Sequence, residues 1–203
     1  MNLLFPLECC GCGRSGSVLC HLCRGSLMPS SETFLCDGFR VFAALQSNNV
    51  LRRVIHRFKY RYCEELADVL SEMLVRRMKV LHASPAWICP VPLFWKRRME
   101  RGFNQSELLA EKVASRMDMR CEDVLVRHRE TAVQALLDRR ERIKNVMGAF
   151  SLKGDSSRFT SLPEKVFLLD DVITSGATFL ECARVLQKTG VKEIYGIMLA
   201  HGL

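Results

Sequence analysis

Nowhere in its 203 residues does the chain approach the roughly 20 consecutive apolar residues that would span a bilayer, so a helical membrane protein is excluded. Its start, MNLLFPLECC, lacks both the basic n-region and the full apolar h-region of a secretory signal, and a cytoplasmic protein is the expectation. There is no internal repeat and no low-complexity tract. Two common nucleotide fingerprints are also missing: GxxxxGK of the Walker loop and GxGxxG of the dinucleotide folds.

What is present is ordinary globular material, with 48% hydrophobic and 26% charged residues. The length suits one α/β domain with a small appendage. Thirty Lys and Arg against 22 Asp and Glu leave a net charge of +8. That suits an anionic partner, nucleic acid or polyphosphate, without choosing between them. Ten cysteines without an export signal read as metal ligands or buried thiols rather than disulfides.

Composition divides the chain into 1–35, dense in Cys and Gly and closed by a Pro29-Ser30-Ser31 turn, and 36–203. In the second part, 38–45 reads as a strand and 50–56 and 63–80 as helices. Leu66, Val69, Leu70, Met73 and Leu74 share one face of the latter. Residues 87–91 form a short apolar strand, followed by a strongly basic loop, WKRRMERGFNQ. A helix over 104–117 comes next, with Leu108, Leu109, Val113 and Met117 inward, then a charged stretch over 127–145. Strand 166–169, helix 178–188 capped by Gly190, and strand 193–199 complete the pattern. Alternating strands and helices imply an α/β fold with a mostly parallel sheet flanked by helices.

The most informative segment is 166–178, VFLLDDVITSGAT. An apolar strand ends in Asp170-Asp171, at the sheet edge where open α/β folds bind ligands. Thr174, Ser175, Gly176, Ala177 and Thr178 then offer hydroxyls and closely spaced backbone N–H groups leading into a helix N-terminus, which stabilises a dianionic phosphate. Gly176 allows a backbone conformation denied to larger residues. Two carboxylates touching that phosphate would repel it, but they fit vicinal sugar hydroxyls one step away. The segment therefore reads as a site for a phosphorylated sugar. The plainer alternative is a polar turn whose Thr and Ser merely cap a helix.

Four cysteines form two CxxC knuckles, Cys9 with Cys12 and Cys20 with Cys23. Four thiolates make a closed, structural Zn²⁺ site, whose binding would supply the folding energy a segment this short lacks. Cys10 could replace Cys9, and free thiols or a redox pair remain the alternative.

The loop at 166–178 resembles the diphosphate-sugar signature of type I phosphoribosyltransferases. Over almost its whole length the chain is similar to one branch of these, the ComF family of competence-type proteins. The residues that carry the likeness are the paired cysteines, Arg57-Phe58-Lys59-Tyr60, Pro90-Val91-Pro92-Leu93 and Arg101-Gly102-Phe103-Asn104-Gln105. Beyond them stand Thr131, Gln134, Arg142, Asn145-Val146, Gly148-Ala149-Phe150 and the phosphate loop. Phe94 departs from the pattern, which would have His there. The resemblance implies a phosphoribosyltransferase-like domain that binds phosphoribosyl diphosphate (PRPP) with Mg²⁺. It also implies a cytoplasmic role in natural transformation, handling incoming single-stranded DNA alongside DNA-uptake proteins.

In such a transferase an acceptor displaces pyrophosphate from the ribose, which requires cations at the leaving group and a water-excluding lid. Asp170, Asp171 and Arg101 are the catalytic candidates. Lys59, Arg101, Gln105 and Arg142 are candidates for the diphosphate and lid, with Lys96, Arg97, Arg98, Arg139 and Arg140 as further cations. Lys59 reads equally well as a lysine favoured by a helix C-terminus. The basic cluster Arg52, Arg53, Arg57, Lys59 and Arg61, with Phe58, Tyr60, Tyr62, Trp95 and Phe103 interleaved, has the composition of a single-strand track, although most such aromatics pack into cores. An active metabolic phosphoribosyltransferase without a DNA role is the competing reading.

Overall fold

The computed structural model describes residues 7–60, 63–83, 86–130, 139–154 and 163–202; within 139–143, side chains are described only for Glu141. Thr131, Gln134, Arg61 and Tyr62, and the side chains of Arg139, Arg140 and Arg142, fall outside that set.

A six-stranded sheet has the order β1-β2-β8-β7-β3-β4. Its strands are β1 (Thr33–Cys36), β2 (Phe39–Ala43), β3 (Trp87–Pro90), β4 (Arg120–Cys121), β7 (Lys165–Ile173) and β8 (Glu193–His201). Only β1 runs antiparallel to its neighbour. A separate antiparallel pair joins β5 (Leu125–Arg127) to β6 (Phe150–Leu152), and a short helix, α1 (His21–Gly25), precedes β1.

The sheet is covered on both faces, and side-chain alternation sorts the residues. From β7 and β8, Phe167, Leu169, Ile197 and Leu199 enter one core with α2 (Asn49–Tyr60), α3 (Glu64–Val80) and α5 (Gln105–Met117). Val166, Leu168, Ile194 and Met198 enter the other with α7 (Ala177–Gln187), Val146 of α6 (Arg139–Val146) and Phe150. On α3, Leu66, Leu70, Met73 and Leu74 are buried as the spacing predicts, while Val69 is half-buried. Of the four residues expected inward on α5, Leu109 and Val113 are buried and Leu108 and Met117 half-buried.

Two expectations need correction. The WKRR segment is a helix, α4 (Trp95–Arg101), that buries none of its own residues. It is stopped by Gly102 in the left-handed region at φ +79°, where a glycine carries no Cβ penalty. Asp170 and Asp171 lie within β7 rather than beyond its end, because β8 continues to pair with it as far as Ile173 opposite His201. His201, for which the sequence names no partner, has its Nδ1 2.7 Å from Glu32 Oε1 and stacks on Phe34.

The helices leave the sheet in opposite directions at one place. After β3 the chain passes through α4 to α5 on the first face; after the adjacent β7 it passes to α7 on the second. Diverging connections open a crevice at the carboxyl ends of neighbouring parallel strands.

Candidate functional site

A pocket of about 620 Å³ occupies that crevice. One wall is the β7–α7 connection. Gly176 stands at φ +77°, and a Cβ there would come within 2.3 Å of Cys36 Sγ, so the turn needs glycine for conformation and for space. Thr174, Gly176, Ala177 and Thr178 line the pocket; Ser175 does not, and its hydroxyl accepts a long, 3.4 Å hydrogen bond from the Ala177 N–H. Gly176, the N-cap residue, has no side chain to cap α7, whose N-terminus faces the pocket.

Asp170 and Asp171 form the floor. Asp170 Oδ1 accepts from Ser106 Oγ at 2.7 Å and from the Asp171 N–H at 2.9 Å. Asp171 Oδ2 is 3.0 Å from Lys59 Nζ. Each carboxylate keeps its second oxygen without a protein partner among the described residues. Burial, then the Asp171 charge, push the Asp170 carboxyl up to about 7.

The opposite walls supply cations. Lys59 and Arg52 come from α2, Arg97 and Arg101 from α4, and Arg127 from the end of β5. Arg127 is almost wholly buried against the Phe150 ring, and burial followed by the neighbouring Arg97 charge lowers its pKa. Arg101 donates to Gln105 Oε1 at 2.9 Å, and Gln105 Nε2 donates to the Lys59 carbonyl, so α2, α4 and α5 are tied together at the pocket.

The predicted residues Lys59, Arg101, Gln105, Asp170, Asp171, Thr174, Gly176, Ala177 and Thr178 therefore share one cavity. Lys96 and Arg98 instead pair with Glu130 and Glu107. Phe94, at the departure from the family pattern, is buried beside Trp95. Arg53 and Arg57 donate to the Gly11 and Cys9 carbonyls at 2.5 and 3.0 Å, holding the knuckle rather than an open track. Sequence reasoning missed Ser106 and Arg127. Ser106 had a signal in its place directly after the RGFNQ motif; Arg127 stood only as the first residue of the charged stretch over 127–145 and was not singled out.

The second cluster is the cysteine module. The sulfurs of Cys9, Cys12, Cys20 and Cys23 all lie within 4.8 Å of one another. A tetrahedral ion with metal–sulfur bonds of about 2.3 Å requires sulfurs about 3.8 Å apart; Cys12 and Cys20 are separated by 3.7 Å. Cys10 is excluded by the fold. Its N–H donates to the Val18 carbonyl and its side chain joins the main core. Gly11 is required, since a Cβ there would lie 2.6 Å from Cys23 Sγ. Burial raises the Cys9 thiol, but N–H groups of Cys20, Cys12 and Gly11 outweigh it and bring the pKa down to about 6. Cys23 is pushed up to about 12 by burial and neighbouring thiols. Four sulfurs at this spacing, one already inclined to ionise, could hold a metal ion.

No family model matches the chain. Individual proteins do. It is 35% identical over 194 residues to Competence protein F of Haemophilus influenzae, covering 90% of this chain and 81% of that one. It is 33% identical over 206 residues to DNA utilization protein YhgH of Escherichia coli, covering 92% and 86%. To Competence protein ComFC of Bacillus subtilis it is 29% identical over 182 residues, covering 88% and 71%. With likeness of this extent over most of both chains, the chain belongs to the ComF family.

Proposed function

We propose that the pocket binds phosphoribosyl diphosphate with Mg²⁺ on a type I phosphoribosyltransferase-like scaffold, and that the protein uses this ligand in DNA uptake, handling single-stranded DNA. The observation that carries the reading is the division of the cavity into two chemistries. Available carboxylate oxygens and a glycine-bearing helix N-terminus stand on one side, with Lys59 paired to Asp171, and Arg97, Arg101 and Arg127 on the other. A ligand filling it has hydroxyls, a terminal phosphate and a second, larger anion.

In this reading the Gly176 loop takes the 5-phosphate by backbone N–H groups and the α7 dipole. Asp170 and Asp171 accept from the ribose hydroxyls. Arg97, Arg101 and Arg127 neutralise the diphosphate, and Arg142 belongs to the lid. Hard oxygen donors at Asp170 and Asp171 suit Mg²⁺, which supplies charge neutralisation of the diphosphate when bound. Arginine cations already in place would stabilise charge developing on a leaving pyrophosphate without reorganisation. An acceptor completes a transfer; without one, the site serves as a sensor or scaffold.

The cysteine cluster is assigned Zn²⁺ in a structural role, since four protein thiolates leave no coordination position for chemistry. Relatives named for competence and DNA utilization support the DNA-uptake role; a cytoplasmic location and partners in the uptake machinery are part of the same proposal. Among the described residues no helix is long and apolar enough to cross a membrane.

The test is calorimetry with the diphosphate sugar and Mg²⁺ on the wild type and on Asp170→Ala/Asp171→Ala. Binding that disappears in the double variant supports the site; unchanged affinity refutes it. Screening acceptors for pyrophosphate release then separates transferase from sensor. For DNA, affinity should fall steeply with added salt, as counter-ion release demands.

A further inference from the structure

We propose that the mouth of this pocket is a nucleobase-stacking platform built on Tyr60. The inference rests on the same pocket but on different residues. Helix α2 presents two faces. Leu51, Val54, Ile55 and Phe58 are buried in the core, while Arg52, His56, Lys59 and Tyr60, at i, i+4, i+7 and i+8, line the cavity.

The aromatic residues near the basic segments sort sharply. Phe58 and Phe103 pack edge-on in the core at 5.9 Å. Tyr60 stands apart from them, with 64% of its surface exposed at the opening. Its ring is flanked by the His56 ring, centroids 5.1 Å apart and tilted by 48°, and by the Arg101 guanidinium, 5.7 Å from the centroid. Three planar groups therefore meet at one opening, and much of the Tyr60 ring is left uncovered.

Core packing does not account for a tyrosine so exposed. A planar, electron-rich ring beside a guanidinium is the arrangement on which bases stack, because every base has a π-face and the cation adds to the attraction. Arg52 and His56, on the same stripe, provide polar groups at the edge of such a base or at its phosphate. Lys59 is already engaged by Asp171 and takes no part. The class of ligand is a nucleobase, which can arrive as a free nucleoside or within a single strand.

The experiment compares an oligothymidylate with an abasic strand of the same length, so that phosphates are equal and bases are not. Anisotropy titrations are made with wild type, Tyr60→Ala and Tyr60→Phe, each checked for an unaltered melting curve. The wild type should prefer the base-bearing strand by about tenfold. Tyr60→Ala should erase the preference and Tyr60→Phe should keep it. Calorimetry with nucleosides identifies the source: nucleoside binding lost in Tyr60→Ala means a free base occupies the platform, and strand preference alone means DNA does. A wild type blind to bases in both assays overturns the proposal, as does a preference that survives in Tyr60→Ala. Titration of the wild type with the diphosphate sugar is a separate readout. A base preference without sugar binding would keep the platform and remove the phosphoribosyl reading.

Discussion

Replacing Asp170 by Asn should make the protein more stable while it damages the pocket. Burial and the adjacent Asp171 raise the Asp170 carboxyl from 3.8 to about 7. An acid whose folded-state pKa lies above its unfolded value binds its proton more tightly when folded. Its contribution therefore makes stability fall as pH rises from about 4 to about 7, and level off above that. A shift of about three units at about 1.4 kcal/mol each sets a ceiling of about 4 kcal/mol. The amide offers the same Oδ1 to Ser106 and to the Asp171 N–H, so both hydrogen bonds survive and only the charge is removed. Because the side chain is open to the pocket, about half the ceiling is expected, or about 2 kcal/mol at pH 8. For a chain of this size that is about 4–8 °C in Tm. Urea unfolding of wild type and Asp170→Asn at pH 5 and pH 8 measures it. The gain should be clearly larger at pH 8, and affinity for the diphosphate sugar should drop at least about tenfold through loss of a charged acceptor. A variant no more stable than wild type at pH 8, or a gain that ignores pH, would refute the reasoning.

Other expectations are as direct. Gly176→Ala should lower Tm by several degrees and abolish sugar-phosphate binding, because it combines left-handed strain with a 2.3 Å approach to Cys36 Sγ; normal binding would show that the loop can rearrange. Cys12→Ser should abolish the proposed zinc binding, measured by atomic absorption on purified protein, whereas Cys10→Ser should take up one equivalent. Arg127→Met should keep the fold, read by circular dichroism, and weaken the diphosphate ligand at least about tenfold, as expected of a charge-assisted contact.

The parts legible in the sequence were those whose signals are local. The run from Val166 to Thr178 announces strand, acidic pair, tight turn and helix in consecutive residues, and the structure puts Asp170 to Thr178, all but Ser175, on one cavity. The knuckle spacing did the same for the four sulfurs. Elements fixed by distant partners were not legible. Strands β5 and β6 have three residues each and exist because they pair with one another, so the position of Arg127 was not foreseen. Helix α4 carries no apolar stripe, and its start and stop are marked mainly by Phe94 and Gly102. Cys9 and Cys10 are neighbours that satisfy almost the same spacing; what separates them is that one side chain faces the other thiols and the next enters the core.

The basic cluster on α2 shows how one sequence feature can serve three purposes. Read along the chain, Arg52, Arg53, Arg57 and Lys59 look like a single cationic strip. The helix separates them by angle. Arg53 and Arg57 turn towards the cysteine module and hold its Gly11 and Cys9 carbonyls. Lys59 closes on Asp171 beneath the pocket, while Arg52 lines the opening with His56 and Tyr60. Leu51, Val54 and Phe58 anchor the same helix in the core. The knuckle that could hold a metal and the pocket that could hold a ligand are thus braced by one rigid element. Loss of the metal would free the Cys9 and Gly11 carbonyls from their fixed positions and loosen the two arginines that grip them. Such a disturbance would reach the pocket through α2, although no cysteine lines it.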